Sequence, residues 1–98
     1  MKLITREWLI FAQKDVASCE RLLGDEFLTN VVAFHAQQAV EKCLKALVEE
    51  FEVGFIKTHD LIKLYGSVAS YLDFELDLDM LKKLNEVYVD ARYPGEFG

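Results

Sequence analysis

Residues 33–51, AFHAQQAVEKCLKALVEEF, constrain the fold more than any other segment, because they run for nineteen positions without a glycine or a proline. On a period of 3.6 residues, Ala33, Ala36, Val40, Cys43, Leu44, Leu47 and Phe51 form one broad apolar arc, the pattern of an amphipathic helix. His35, Gln38, Lys42, Lys45 and Glu49 gather on the opposite stripe. Ala36, Ala39 and Ala46 are small enough for neighbouring backbones to approach, as a central helix with several partners requires. Glu41 precedes Lys45 by four residues, the favoured order for an ion pair along a helix. Gln37 falls near the edge of the apolar arc, where an unpartnered amide costs about 1–3 kcal/mol. Its partner is either another helix or the lining of an interhelical groove.

The flanking segments also read as helices. Trp8, Ala12, Val16, Cys19 and Leu23 recur at three- and four-residue steps. This spacing predicts a first helix capped by Thr5 and ended by Gly24, with Lys14, Asp15, Glu20 and Arg21 outside. Thr29 or Asn30 caps the central helix and Gly54 closes it, so two long helices on a short loop should lie antiparallel. Thr58 is the expected cap of a third helix with Leu61, Leu64, Tyr65, Val68 and Leu72 as its apolar stripe. His59 at its start is expected to be neutral and hydrogen-bonded locally. Residues 73–77 read as a loop, and Asp77 or Asp79 caps a fourth helix whose core face is Met80, Leu84, Val87 and Ala91. Asn85, Tyr88 and Arg92 share the adjacent face. Pro94 disfavours helical backbone at Tyr93, so this helix ends near Arg92. The expected fold is a single all-α domain over residues 1–98, an up-and-down antiparallel bundle of four main helices.

Composition narrows the function. Hydrophobic residues make up 52% of the 98-residue chain, enough for one core. The net charge of −6 argues against a broad basic face for nucleic acid, although it leaves room for a local basic groove. Cys19 and Cys43 form no C-x-x-C pair and read as two buried, reduced thiols; with only two histidines, no compact zinc set exists. The opening residues lack both a spanning apolar run and a cleavage site, which points to a soluble, cytoplasmic protein with no membrane association. No glycine-rich phosphate loop, no G-x-S-x-G elbow and no Glu-x-x-His pair is present, so neither cofactor nor metal is expected.

Three separated motifs nevertheless stand in order: AFHAQQAVEKCLKALVEE, KTHDLIKLYGSV and LNEVYVDARYPGEFG. Together they resemble the HEPN domain (higher-eukaryote and prokaryote nucleotide-binding), from about Asn30 onward. The resemblance implies a helical bundle that commonly dimerises and works beside a minimal nucleotidyltransferase, often as a toxin–antitoxin pair. It also implies that some members are metal-independent ribonucleases with an R-x(4–6)-H motif. That motif is missing here: Phe11, Ala12 and Gln13 follow Arg6 at the required distance, Glu26, Phe27 and Leu28 follow Arg21, and Phe97 and Gly98 follow Arg92. The resemblance implies a further helix after A-R-Y-P in most family members, so a C-terminal fifth helix is expected to lie outside residues 1–98 or to be replaced by a partner.

The resulting expectation is a non-catalytic module that binds a nucleotide or RNA phosphate, forms a homodimer and acts with a nucleotidyltransferase. Its expected ligand-binding surface is His35, Gln38, Lys42 and Lys45 with Arg92 and Tyr93, where arginine suits phosphate and tyrosine suits stacking. Two rivals are a ribonuclease using Arg92 with His35 or His59, and a purely structural dimerisation domain.

Overall fold

The computed structural model describes residues 1–92, with side chains as far as Asp90, and every regular element among them is helical. Helix α1 spans Leu3–Leu22, α2 Thr29–Glu50, α3 Leu61–Val68 and α4 Leu78–Arg92, with single 3-10 turns at Glu26–Leu28 and Ala69–Tyr71. Cross-links between helices give their directions. Residue 2 bonds to residue 50, 15 to 35 and 19 to 32, so α1 and α2 run antiparallel. Residue 61 bonds to 85 and 65 to 76, so α3 and α4 do the same. The all-α bundle expected from periodicity is the one observed.

Leu44, Val48, Leu61, Leu64, Tyr65, Val68 and Leu81 form the core, where α3 and α4 meet α2. The stripe expected on α3 is buried as far as Val68, while Leu72 lies beyond the helix and packs on the core from outside. The cap of α3 is Asp60 rather than Thr58: its carboxylate accepts from the backbone N–H of Ile62 and Lys63. Thr58 instead accepts from the N–H of Asp60, one step earlier. Asn85 reaches over from α4, accepting from Leu61 N–H and donating to Asp60. Burial alone would raise the Asp60 pKa, but the Asn85 amide and these backbone donors outweigh it and hold the carboxyl below its usual range. Asp77 caps α4, as one of the two expected candidates. Among the described residues of that helix Leu81 is buried, Leu84 packs on the core as expected and Val87 is half-buried, whereas Met80, expected inside, is 57% exposed.

The first helix departs further from its expected face. Its buried residues are Thr5, Ala12 and Asp15, and Val16 is 46% exposed. Thr5 is inside the helix, not its cap, and its hydroxyl donates to Glu50 across the interface. The N–H of Lys2 and the Thr5 hydroxyl keep the Glu50 carboxyl below its usual pKa. Gly24 follows the helix with φ +96°, the left-handed turn that glycine adopts freely. The cap before α2 comes from Asp25, which accepts from Phe27 N–H and starts the 3-10 turn leading into the helix.

Neither thiol is a core residue. Cys43 is exposed and Cys19 half-buried, its thiol donating to the carbonyl of Val32. Partial desolvation raises both pKa values, at Cys19 with help from Asp15, so neither is poised as a thiolate. No helix among the described residues is long and apolar enough to cross a membrane.

Candidate functional site

The polar stripe of α2 is not a free, solvated surface. His35, Gln38, Lys42 and Lys45 are all half-buried, and each is committed to a neighbour. The reason is Asp15, placed by the spacing of Trp8, Ala12 and Asp15 on the α1 face that meets α2. Asp15 is only 6% exposed, and its carboxylate is compensated by Lys42 Nζ at 2.6 Å and His35 Nδ1 at 2.8 Å. A buried carboxylate needs such partners, because the cost of desolvating an isolated charge is prohibitive.

A second centre lies on α2 itself. Glu41 is 3% exposed and accepts from three side chains. Gln37 donates at 3.1 Å and Lys45 at 2.9 Å, while His59 Nδ1 lies 3.1 Å from both carboxylate oxygens. An ionised carboxylate only accepts, so Nδ1 of His59 carries the proton. Burial by itself would push Glu41 up; the donors Lys45, Gln37 and His59, together with the Lys45 charge, outweigh it and hold its pKa low. Gln37 is fully buried and uses both ends of its amide, with Gln38 donating to its oxygen at 2.8 Å. Its partners therefore lie on its own helix, not across an interface.

His59 bonds to Glu41, eighteen residues back, rather than locally as expected. It stacks on Tyr88 at 4.9 Å between centroids; Tyr88 in turn stacks on Phe34, whose ring meets His35 edge-on. This aromatic row ties the two carboxylate centres together on one side of the molecule.

Beside the Glu41 centre opens a cleft of about 260 Å³. Trp8 of α1 forms one wall, with Lys45 Nζ standing 5.5 Å over its ring, a cation–π geometry. Val48, Ile56 and Leu64 make the apolar floor, and Lys57 and His59 come from the segment between α2 and α3. An aromatic plane, an apolar floor and two lysines can hold a flat ring bearing an anionic substituent. The two buried carboxylates cancel Lys42 and Lys45, so Lys57 is the cation of the cleft without a carboxylate partner among the described residues.

Of the expected ligand-binding residues, Lys45 lines this cleft; His35, Gln38 and Lys42 belong to the internal network next to it. The Arg92 side chain and Tyr93 lie outside the described residues. Trp8, Lys57, Asp15 and Glu41 were not singled out as site residues from sequence. The available signal was the acid at position 15 in register with Trp8 and Ala12, since a carboxylate on an interface face demands cations opposite. Among the described residues no group of three or more His, Cys, Asp or Glu could hold a metal ion.

A family model described as HEPN domain matches residues 5–98. No curated protein and no solved structure matches the chain.

Proposed function

The chain belongs to the HEPN domain family, and from that premise we propose a non-catalytic helical module that binds a nucleotide or RNA phosphate in the Trp8 cleft. The observation that supports it is the pairing of the Trp8 ring with Lys45 at 5.5 Å, beside Lys57 and His59. A base stacks on the indole and the phosphate meets the lysines. The Arg92 side chain and Tyr93, which lie outside the described residues, remain assigned to phosphate contact and stacking on their side-chain chemistry. The module acts as a homodimer in the cytoplasm with a minimal nucleotidyltransferase, as one half of a toxin–antitoxin pair.

Trp8 is the single tryptophan, so its fluorescence reports directly on the cleft. Titration with ATP or a short oligoribonucleotide should quench it. Lys57→Glu should weaken binding roughly tenfold through charge reversal, and Arg92→Ala should weaken it while leaving the fold intact. No fluorescence or thermal response at millimolar nucleotide would refute the reading. Co-purification with the neighbouring gene product, followed by sizing, tests the partner and the dimer.

The rival ribonuclease reading has one observation in its favour. Glu41 fixes His59 through Nδ1, which leaves Nε2 as the outward nitrogen of a 56% exposed side chain. A carboxylate that orients a histidine is the arrangement of a general base. Metal-free cleavage of RNA that disappears in His59→Ala would favour this reading over simple binding.

A further inference from the structure

Trp8 is a wall of two depressions. Besides the cleft next to Glu41, its indole lines a smaller one of about 130 Å³, formed with Ile4, Glu7 and Phe11 on α1. Ile4, Trp8 and Phe11 stand at i, i+4 and i+7, so they follow one face of that helix. The face is open to solvent: Ile4 is 41% and Phe11 51% exposed, and Trp8 is half-buried. Each of the two aromatic rings also carries a lysine. Lys45 Nζ stands 5.5 Å from the Trp8 centroid, and Lys14 Nζ, one turn beyond Phe11, stands 5.3 Å from the Phe11 centroid. Lys45 is held by Glu41, whereas Lys14 has no carboxylate partner among the described residues.

An aromatic ring with a cation beside it, repeated one helical turn along α1, is the pattern of single-strand recognition, in which successive bases stack on rings while cations meet the backbone. Glu7 decides what enters the smaller depression. It is the one charged residue of that lining, so a phosphate is repelled there. A base instead offers its faces to Trp8 and Phe11 and its amino group to the carboxylate. We propose that the Trp8 cleft is the first of two base sites and that the ligand is a single-stranded oligoribonucleotide of at least two nucleotides. Its second base lies against Ile4 and Phe11, and its added phosphate turns toward Lys14. This rests on the nucleotide reading of the cleft and narrows it from a single nucleotide to a strand. The shared indole carries the inference: a ligand leaving the cleft along α1 passes Trp8 and meets Phe11 within one turn, about 5 Å. With a net charge of −6 the protein has no broad surface for tracking phosphates, so stacking carries the binding, which suits a short strand.

The test titrates Trp8 fluorescence with AMP, with the dinucleotide pApA, and with pA followed by an abasic nucleotide, all at one ionic strength. The dinucleotide should bind roughly tenfold more tightly than AMP, the effect of one more stacked base. The abasic ligand should recover only the salt-sensitive part of that gain. Phe11→Ala should bring pApA down to the AMP affinity, and Lys14→Glu should reduce both the gain and its salt dependence. Both side chains are exposed, so an unchanged melting temperature verifies the fold of each variant. Equal affinity for AMP and pApA overturns the proposal and leaves the single-nucleotide reading standing, and so does a full gain with the abasic ligand. No response to any of the three refutes the reading of the cleft itself, and this proposal with it. A homodimer that Phe11→Arg disperses also overturns the proposal, because a second copy would then cover Ile4 and Phe11.

Discussion

Replacing Glu41 with alanine is expected to destabilise the fold by about 3–5 kcal/mol, the range for breaking a buried ion pair by removing one partner. The variant strands Gln37, which is 0% exposed and donates to Glu41, and leaves Lys45 without its counter-charge. Glu41→Gln keeps an acceptor for Gln37 but turns a donor toward Lys45, so an intermediate loss is expected. Urea denaturation of the three proteins at neutral pH measures the order, and a loss below about 1 kcal/mol for alanine would mean that Glu41 is not compensated as described. The same carboxylate sets an acid limit. Its folded pKa lies below the ordinary value of 4.5, so its contribution is present above the unfolded-state value and is lost as pH falls through the folded one. Melting temperature should therefore drop on acidification below about pH 4.5, and the part due to Glu41 should be absent in Glu41→Gln.

Leu61→Ala should cost about 2–5 kcal/mol through lost burial and the cavity left behind. Leu61 is 0% exposed, and its surroundings are held from two sides. Asn85 fixes its backbone N–H, and the Tyr65 hydroxyl accepts from Leu76 N–H, so the site cannot readily collapse around the smaller side chain. Leu47→Ala provides the contrast. Leu47 is only half-buried and borders an open apolar groove with Val40, Cys43 and Val16, so its truncation should fall below the ~2 kcal/mol end of that range. Equal losses at the two positions would show that the groove is filled in solution.

Sequence pattern was most reliable where one mechanism acted alone. Leu61, Leu64, Tyr65 and Val68 were legible because α3 buries one apolar face against one surface, so periodicity and burial coincide. The helical class, the four main elements and the glycine at the end of α1 followed from local rules in the same way. On α2 two mechanisms compete. The helix packs against α1 on one side and α3 and α4 on the other, so its buried set includes Gln37 and Glu41 beside Leu44 and Val48. The polar stripe could be grouped from its spacing, but nothing in that spacing reveals Asp15 lying opposite, so the pairing of His35 and Lys42 with that carboxylate was not legible.

The sequence by itself determined which segments are helical and that the chain belongs to the HEPN domain family, since these depend on local periodicity and ordered motifs. Tertiary structure decided how each helix is rotated about its axis and thus which charges are used up inside. A shift of one residue turns a helical side chain by about 100°, enough to move Asp15 from solvent to an interface and Val16 from an interface to solvent. That rotation is set by what packs opposite. It is why Lys45 serves Glu41 first and the cleft second, and why the apolar groove remained invisible until the walls from α1 and residues 72–76 stood beside α2.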